Sequence, residues 1–310
     1  MKEISFGRRC SVRKIGKETA VLWIHTLPCA LAVCLASCLG VPCPAADGNP
    51  STNGKESLVW SDEFNSATPS SQPNPANWTY DTGATGWGND ELETYCAWAS
   101  NVAPCDAARP SAYVGGDGYL HIEARAPPGG AYTSARLKTQ GLQRFRYGRI
   151  EARIKIPDGQ GIWPAFWMLG DTIDSVGWPA CGEVDIMENV GKTPSIAYGS
   201  IHSPGADLTK QDVLPNGEKL AADFHVYGVI WSPGRMQFYL DDPTNIYATY
   251  TPADLRKDAI WPFDTGEFFL ILNLAVGGKW PGSPDATTRF PREMLVDYVR
   301  VYRESGVSPR

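Results

Sequence analysis

Residues 149–156 read R-I-E-A-R-I-K-I, a strict alternation in which Arg149, Glu151, Arg153 and Lys155 point one way and Ile150, Ala152, Ile154 and Ile156 the other. A period of two belongs to a strand with one face against a core and the other in polar surroundings; a helix cannot present it. Short apolar runs of similar length recur at 58–64, 163–169, 183–188, 196–202, 268–276 and 295–302. With 31 Gly and 25 Pro as punctuation and no sustained helical periodicity, these runs predict strands joined by turns. The expected fold is all-β, a sandwich of two antiparallel sheets.

The N-terminus differs in character from the rest of the chain. Arg8, Arg9, Arg13, Lys14 and Lys17 precede an apolar run over 20–41. This is the pattern of an export signal, expected over 1–46, with a polar tether at 47–57 and one folded domain over 58–304. The sequence L-A-S-C at 35–38 resembles a bacterial lipobox and would place a lipid anchor on Cys38; alternatively Cys is only a small apolar residue of the leader. The expected location is outside the cytoplasm: secreted, periplasmic or lipid-anchored at the cell surface. Residues 1–46 hold six Lys/Arg and two Asp/Glu, so without them the net charge moves from −6 to −10. No basic stripe is present to neutralise phosphates, and a nucleic-acid partner is not expected. Three Cys remain in the body; Cys96 and Cys105, nine apart in a loop, can pair after export, which leaves Cys181 free.

Residues 182–189, G-E-V-D-I-M-E-N, crowd Glu183, Asp185 and Glu188 into six residues between Val, Ile and Met. On a helix, Glu183 and Glu188 would sit about 140° apart. On a strand, 183 and 185 share a face, but 188 falls at odd spacing and would turn into the core, where an isolated carboxylate is costly. One extra residue in a β-bulge, at Met187 or its neighbour, would return Glu188 to the side of the other two. Crowding raises the pKa of whichever acid ionises last, so such a row can hold one carboxyl ionised and another protonated. A calcium site and a bare solvated strand are the competing readings.

The segment G-E-V-D-I-M-E-N-V-G resembles the E-x-D-x-x-E signature of glycoside hydrolase family 16, in the longer form typical of its laminarinases, the endo-β-1,3-glucanases. The resemblance extends to W-S-D-E-F (60–64), W-G-N-D-E-L-E-T-Y (87–95), Y-G-R-I-E-A-R (147–153), W-P-A-F-W-M-L-G (163–170), I-L-N-L-A-V-G-G-K-W-P-G (271–282) and V-D-Y-V-R-V-Y (296–302). It implies a β-jelly-roll sandwich with a concave substrate cleft, Glu183 as nucleophile, Asp185 assisting it and Glu188 as general acid/base. The implied reaction is endo-acting, retaining hydrolysis of β-1,3 bonds in laminarin-like or mixed-linkage β-glucans, with no cofactor for catalysis and a monomer expected. Alternatives are a β-1,3-1,4-glucanase, an agarase or carrageenase, or a non-catalytic β-glucan-binding protein; the last is disfavoured because all three acids are retained.

The same resemblance implies sugar-binding roles around the acids. Trp163 is the first candidate for a platform on which a pyranose ring stacks, with Trp167 and Trp178 behind it. Asn89 and His202 are further candidates, each with a structural alternative as a turn residue or a satisfied histidine. Arg153 belongs either to a polar cleft floor, where it would bond sugar hydroxyls, or to a solvated outer face. A structural calcium on the convex side would use Glu63, Gly118 and Asp297, against the alternative of uncoordinated surface acids.

Overall fold

The computed structural model describes residues 56–66 and 68–304; the leader, the lipobox at Cys38 and the tether up to residue 55 lie outside the described residues. The described chain is built from strands β1 (Glu56–Asp62), β2 (Thr79–Asp81), β3 (Glu93–Tyr95), β4 (Ala112–Val114), β5 (Leu120–Ala124), β6 (Tyr132–Ser134), β7 (Arg136–Lys138), β8 (Gly148–Lys155) and β9 (Ile162–Gly170). It continues with β10 (Glu183–Glu188), β11 (Ile196–Ser203), β12 (Ala206–Val213), β13 (His225–Ser232), β14 (Arg235–Leu240), β15 (Ile246–Tyr250), β16 (Phe268–Val276) and β17 (Arg292–Glu304). The α-helix among the described residues is one turn, α1 (Ile173–Val176). Strand β1 already begins at Glu56, within the segment expected as tether.

Two large antiparallel sheets result. One has the order β15-β14-β13-β8-β17-β5-β4, with β1 also on β17; the other has the order β12-β11-β10-β9-β16-β7-β2. A small parallel pair, β3 with β6, closes one corner. One core fills the space between the sheets, with Ile150, Ile154 and Val229 from the first and Phe166, Val184 and Leu270 from the second, all at 0% exposure. This is the two-sheet sandwich expected from the alternating runs, and it agrees with the jelly roll that the resemblance implies.

Strand β8 shows what the alternation encodes. Its isoleucines are buried as expected, but its polar face is not bare: Glu151 is itself buried, accepting hydrogen bonds from Arg149 and from Tyr239 Oη, while the Arg149 guanidinium lies 3.8 Å over the Tyr302 ring. The Tyr239 ring needs space on the neighbouring strand. A Cβ at Gly228, its partner on β13, would fall 2.1 Å from that ring, so only glycine fits there.

Strand β12 forms one edge of the second sheet, and the apolar pattern does not reveal it. Its sequence, A-D-L-T-K-Q-D-V, buries no side chain. An edge strand with solvent on its free side needs backbone pairing more than apolar content.

Candidate active site

The three acids stand on β10, near the middle of the second sheet. Against β9, Asp185 pairs with Trp167 and Met187 with Phe166, so Ile186 is the residue without a partner; against β11, Asp185 pairs with Ser200 and Glu188 with Tyr198, so Ile186 and Met187 together face Gly199. Both Ile186 and Met187 pack into the core. Two consecutive inward residues turn Glu188 back to the side of Glu183 and Asp185, as a bulge must. The expected bulge is present: of Met187 and its neighbour, the extra residue against β9 is the neighbour, Ile186. Gly199 relieves the crowding opposite the bulge, since a Cβ there would fall 2.7 Å from the Phe238 ring.

All three acids line a cleft of about 620 Å³ on the face of the second sheet turned away from the core. Its wall takes residues from β12, β11, β10, β9, β16 and β7 and from the loop 87–91. Six strands at about 4.8 Å spacing give a trough roughly 24 Å across. Among the predicted sugar-binding residues, Asn89, Trp163, Trp167, Trp178 and His202 all line it.

Arg153 does not. It stands on β8 in the other sheet, 2.7 Å from Asp297 and over the Phe224 ring at 4.5 Å. The alternation of β8 fixed its face but could not say which sheet that face belongs to, and the cleft-floor reading is wrong for it.

Each acid has its own partner. The Trp178 indole N–H donates to Glu183 Oε2 at 2.7 Å, and that of Trp163 donates to Glu188 Oε1 at 2.9 Å. His202 Nε2 lies 2.9 Å from Asp185 Oδ2, and His202 Nδ1 lies 3.0 Å from Asp207 Oδ1 on β12. Burial is the main reason the acids hold protons strongly. It raises Glu183 to about 8, with the charge of Asp185 adding and His202 and the Trp178 bond opposing. Burial likewise raises Asp185, which is within hydrogen-bonding reach of Glu183. Glu188 is raised well above the usual carboxylate range by burial and then by the charges of Asp185 and Glu183. Three such groups cannot all ionise together. A proton on Glu188 and one shared by Glu183 and Asp185 would leave a single negative charge in the row, the division of labour that acid and nucleophile need.

Further cleft residues escaped the sequence reading. Arg136 on β7 sits between two indoles, 4.9 Å from the Trp87 ring and 4.6 Å from that of Trp167, and pairs with Asp81 at 2.9 Å. Trp280 meets the Trp163 ring edge-on at 5.4 Å. Trp87, Glu91, Asn273 and Trp280 lie inside the segments that carried the resemblance, but nothing in their spacing shows that they converge.

The side chains of the expected calcium set are turned to other partners. Arg300 takes both oxygens of Glu63, at 3.0 and 2.8 Å, and Arg153 takes one oxygen of Asp297. Gly118 occupies a turn at φ +83°, with its N–H on the Gly115 carbonyl. Among the described residues, the acid and histidine side chains whose donor atoms gather within 4.8 Å are Glu183, Asp185 and His202, already engaged with each other and with Trp178.

Cys96 and Cys105 form a disulfide, and Cys181 is buried and free.

The model of glycosyl hydrolases family 16 matches residues 105–300. A beta-glucanase of Rhodothermus marinus is 43% identical over 262 residues, covering 79% of this chain and 85% of that one. Glucan endo-1,3-beta-glucosidase A1 of Niallia circulans is 37% identical over 276 residues, covering 80% of this chain but only 38% of that longer protein. The solved endo-beta-1,3-glucanase of Pyrococcus furiosus superposes with a TM-score of 0.71 at 43% identity, covering 82% of this chain and 97% of that one.

Proposed function

The chain belongs to glycosyl hydrolase family 16, and on that premise we propose that it cuts internal β-1,3-glucosidic bonds of laminarin-like or mixed-linkage β-glucans with retention of anomeric configuration. The observation that carries the reading is the row of acids on one cleft face, with Glu188 raised well above the usual carboxylate range by burial and by its acidic neighbours. In the first step a Glu183 oxygen bonds to the anomeric carbon while the glycosidic C–O bond breaks, and the Glu188 proton passes to the departing sugar oxygen. In the second, Glu188 takes a proton from water, the water oxygen bonds to the anomeric carbon and the ester to Glu183 breaks. Asp185 holds the proton it shares with Glu183 and so keeps Glu183 ionised when it attacks. No cofactor enters these steps.

The breadth of the trough supports internal cleavage, because a chain can lie across several strands without presenting an end. The relatives' names support the β-1,3 linkage. Incubation with laminarin, lichenan and agarose in parallel tests the reading: laminarin should shorten early into oligosaccharides of mixed length. Intact laminarin and lichenan beside degraded agarose would refute it, and lichenan cut in preference to laminarin would favour the β-1,3-1,4-glucanase alternative.

Export fits the disulfide between Cys96 and Cys105, which persists in oxidising surroundings. The mature protein is taken as a monomer outside the cytoplasm. The mass of the mature chain distinguishes a lipidated Cys38 from a cleaved leader, and gel filtration tests the monomer.

A further inference from the structure

At the β7 end of the trough stands a second pair of acids, one of them buried, that the hydrolysis above does not use. Glu93 on β3 is at 0% exposure. One of its oxygens, Oε2, accepts the Val276 N–H of β16 at 2.6 Å; the other, Oε1, is buried and accepts from no donor. Its side chain is within hydrogen-bonding reach of Glu91, which is half-buried and lines the cleft. Two carboxylates at that range cannot both be ionised away from water. Glu91 offers both of its oxygens as acceptors, one to Tyr95 Oη–H at 2.9 Å and the other to the Asn89 side-chain N–H at 3.3 Å.

From Tyr95 the bonds continue into the cleft: Asn273 Nδ2 donates to Tyr95 Oη at 3.0 Å, and Trp167 Nε1 donates to Asn273 Oδ1 at 2.7 Å. Every link except the Glu93–Glu91 contact is a conventional donor–acceptor pair. A proton on Glu93 Oε1 completes it, for then the one orphaned oxygen becomes a donor and Glu91 its acceptor.

We propose that Glu93 is a positioning residue, kept as the neutral acid, whose O–H donates to Glu91 and so fixes Glu91 as a charged acceptor on the cleft wall for a sugar hydroxyl. Asn89 and, through Asn273, the Trp167 indole are held by the same chain of bonds. This inference rests on the β-glucan reading for its ligand, while the position of the proton does not.

The surroundings agree. Burial, followed by the Glu91 charge, raises Glu93 to about 9. The other groups on the elements around it are Tyr95 from its own strand, Tyr132, its pairing partner on β6, whose ring packs on Phe290, Arg136 from β7, which is committed to Asp81, and the neutral Val276 amide of β16, which donates to it. None is a free cation that would draw the proton off Glu93. The acid therefore ionises only as the pH rises through about 9, and Glu91 is then repelled from its place.

The test combines a spectrum with kinetics. Carboxyl ¹³C NMR of the full chain labelled at Glu, with Glu93 assigned by its absence in E93Q, should show Glu93 protonated at pH 7 and titrating near pH 9. On laminarin, KM of the unmodified chain should rise above pH 9, separately from any fall in kcat as the catalytic row ionises. E93Q supplies a permanent donor to Glu91 and a carbonyl to the Val276 N–H, so it should rescue KM at neutral pH and abolish the alkaline rise. E93L leaves both partners bare and should raise KM about fivefold or more at every pH. A Glu93 signal of a carboxylate at pH 7 overturns the proposal, as does an alkaline rise that survives in E93Q. If E93L fails to fold, the spectrum and the E93Q profile still decide. If no β-glucan is cut at all, the function reading fails, whereas the spectrum still locates the proton.

Discussion

The indole N–H of Trp178 donates to Glu183 Oε2 at 2.7 Å although the Trp178 side chain is 60% exposed. A solvent-facing residue thus holds one oxygen of the residue assigned to nucleophilic attack, and the bond favours the ionised form of Glu183. In Trp178→Phe the ring stays and the donor goes, so the Glu183 pKa should climb further and the acid limb of kcat/KM should move to higher pH. The loss in kcat should be about tenfold or somewhat more, the usual worth of a hydrogen bond to a charged group. A pH–rate profile checks this; an unmoved acid limb would mean that the bond is incidental.

The two glutamates should fail in different ways. Glu188→Ala should lose about 10²–10⁴-fold on glucan, the range of a general acid, yet still form the glycosyl-enzyme from an aryl glycoside whose leaving group needs no proton. Added azide should then yield a β-glycosyl azide. In Glu183→Ala no ester can form, and azide in the vacated space should give the α-anomer. NMR of the products reads the anomer, and the opposite pattern would reverse the two roles.

Stability should depend on pH through the same acids. Their folded pKa values are raised above the unfolded ones by burial, so the folded chain binds more protons and stability falls as pH rises from about 4.5, the start of ionisation in the unfolded chain, through the folded values, about 8 for Glu183. Glu188→Gln removes one such group. Its melting temperature should exceed that of the unmodified chain at pH 8, by about 2–4 °C for each kcal/mol recovered, and match it near pH 4. Equal melting temperatures at both pH values would argue against a destabilised acid row.

Trp163 combines two tasks that substitution can separate. Trp163→Phe keeps an aromatic face but loses the N–H on Glu188, whereas Trp163→Ala loses both. If the ring carries a sugar, KM should rise about tenfold in the alanine variant and much less in the phenylalanine one. Because Trp163 is half-buried at the cleft, the melting temperature should change little; a collapsed melting temperature with normal kinetics in the folded fraction would make it a core residue.

Loss of the Cys96–Cys105 disulfide should cost about 2–3 kcal/mol, the loop-closure entropy of a span of that length. Thermal melts of Cys96→Ser/Cys105→Ser against the unmodified chain measure it, and an unchanged melting temperature would show that the loop is already held by its other contacts.

Legibility in the sequence differs from one part of the molecule to another. Periodicity carried the core strands: the run predicted at 268–276 is β16, and that at 183–188 is β10, because a buried strand must show its apolar face to the core. The need for a bulge could be argued from parity alone, though not which of Ile186 and Met187 lacks a partner, since both are apolar and both end in the core. Arg153 shows the limit of alternation, which assigns a face without assigning a sheet. Glu91, Arg136 and Asn273 were missed for a related reason: they come from separate segments, and only the pairing of β7 with β16 and of β16 with β9 brings them to one wall.

The bulge also makes β10 tolerant of a particular kind of editing. Elsewhere in a strand, removing one residue inverts every side chain beyond the cut, and core and solvent faces trade places. At Ile186 the sheet already skips a residue against β9, so deleting it would leave E-V-D-M-E, a regular alternation in which Met187 and Glu188 keep their partners Phe166 and Ala165. Here a reading frame of faces can be shortened by one without being scrambled, and the acid row would survive with its last member drawn one step closer to the first. A chain lacking Ile186 should therefore melt cooperatively, at a lower temperature for want of its core side chain, where one lacking Phe166 does not, and its acids would meet the β-glucan at a new spacing.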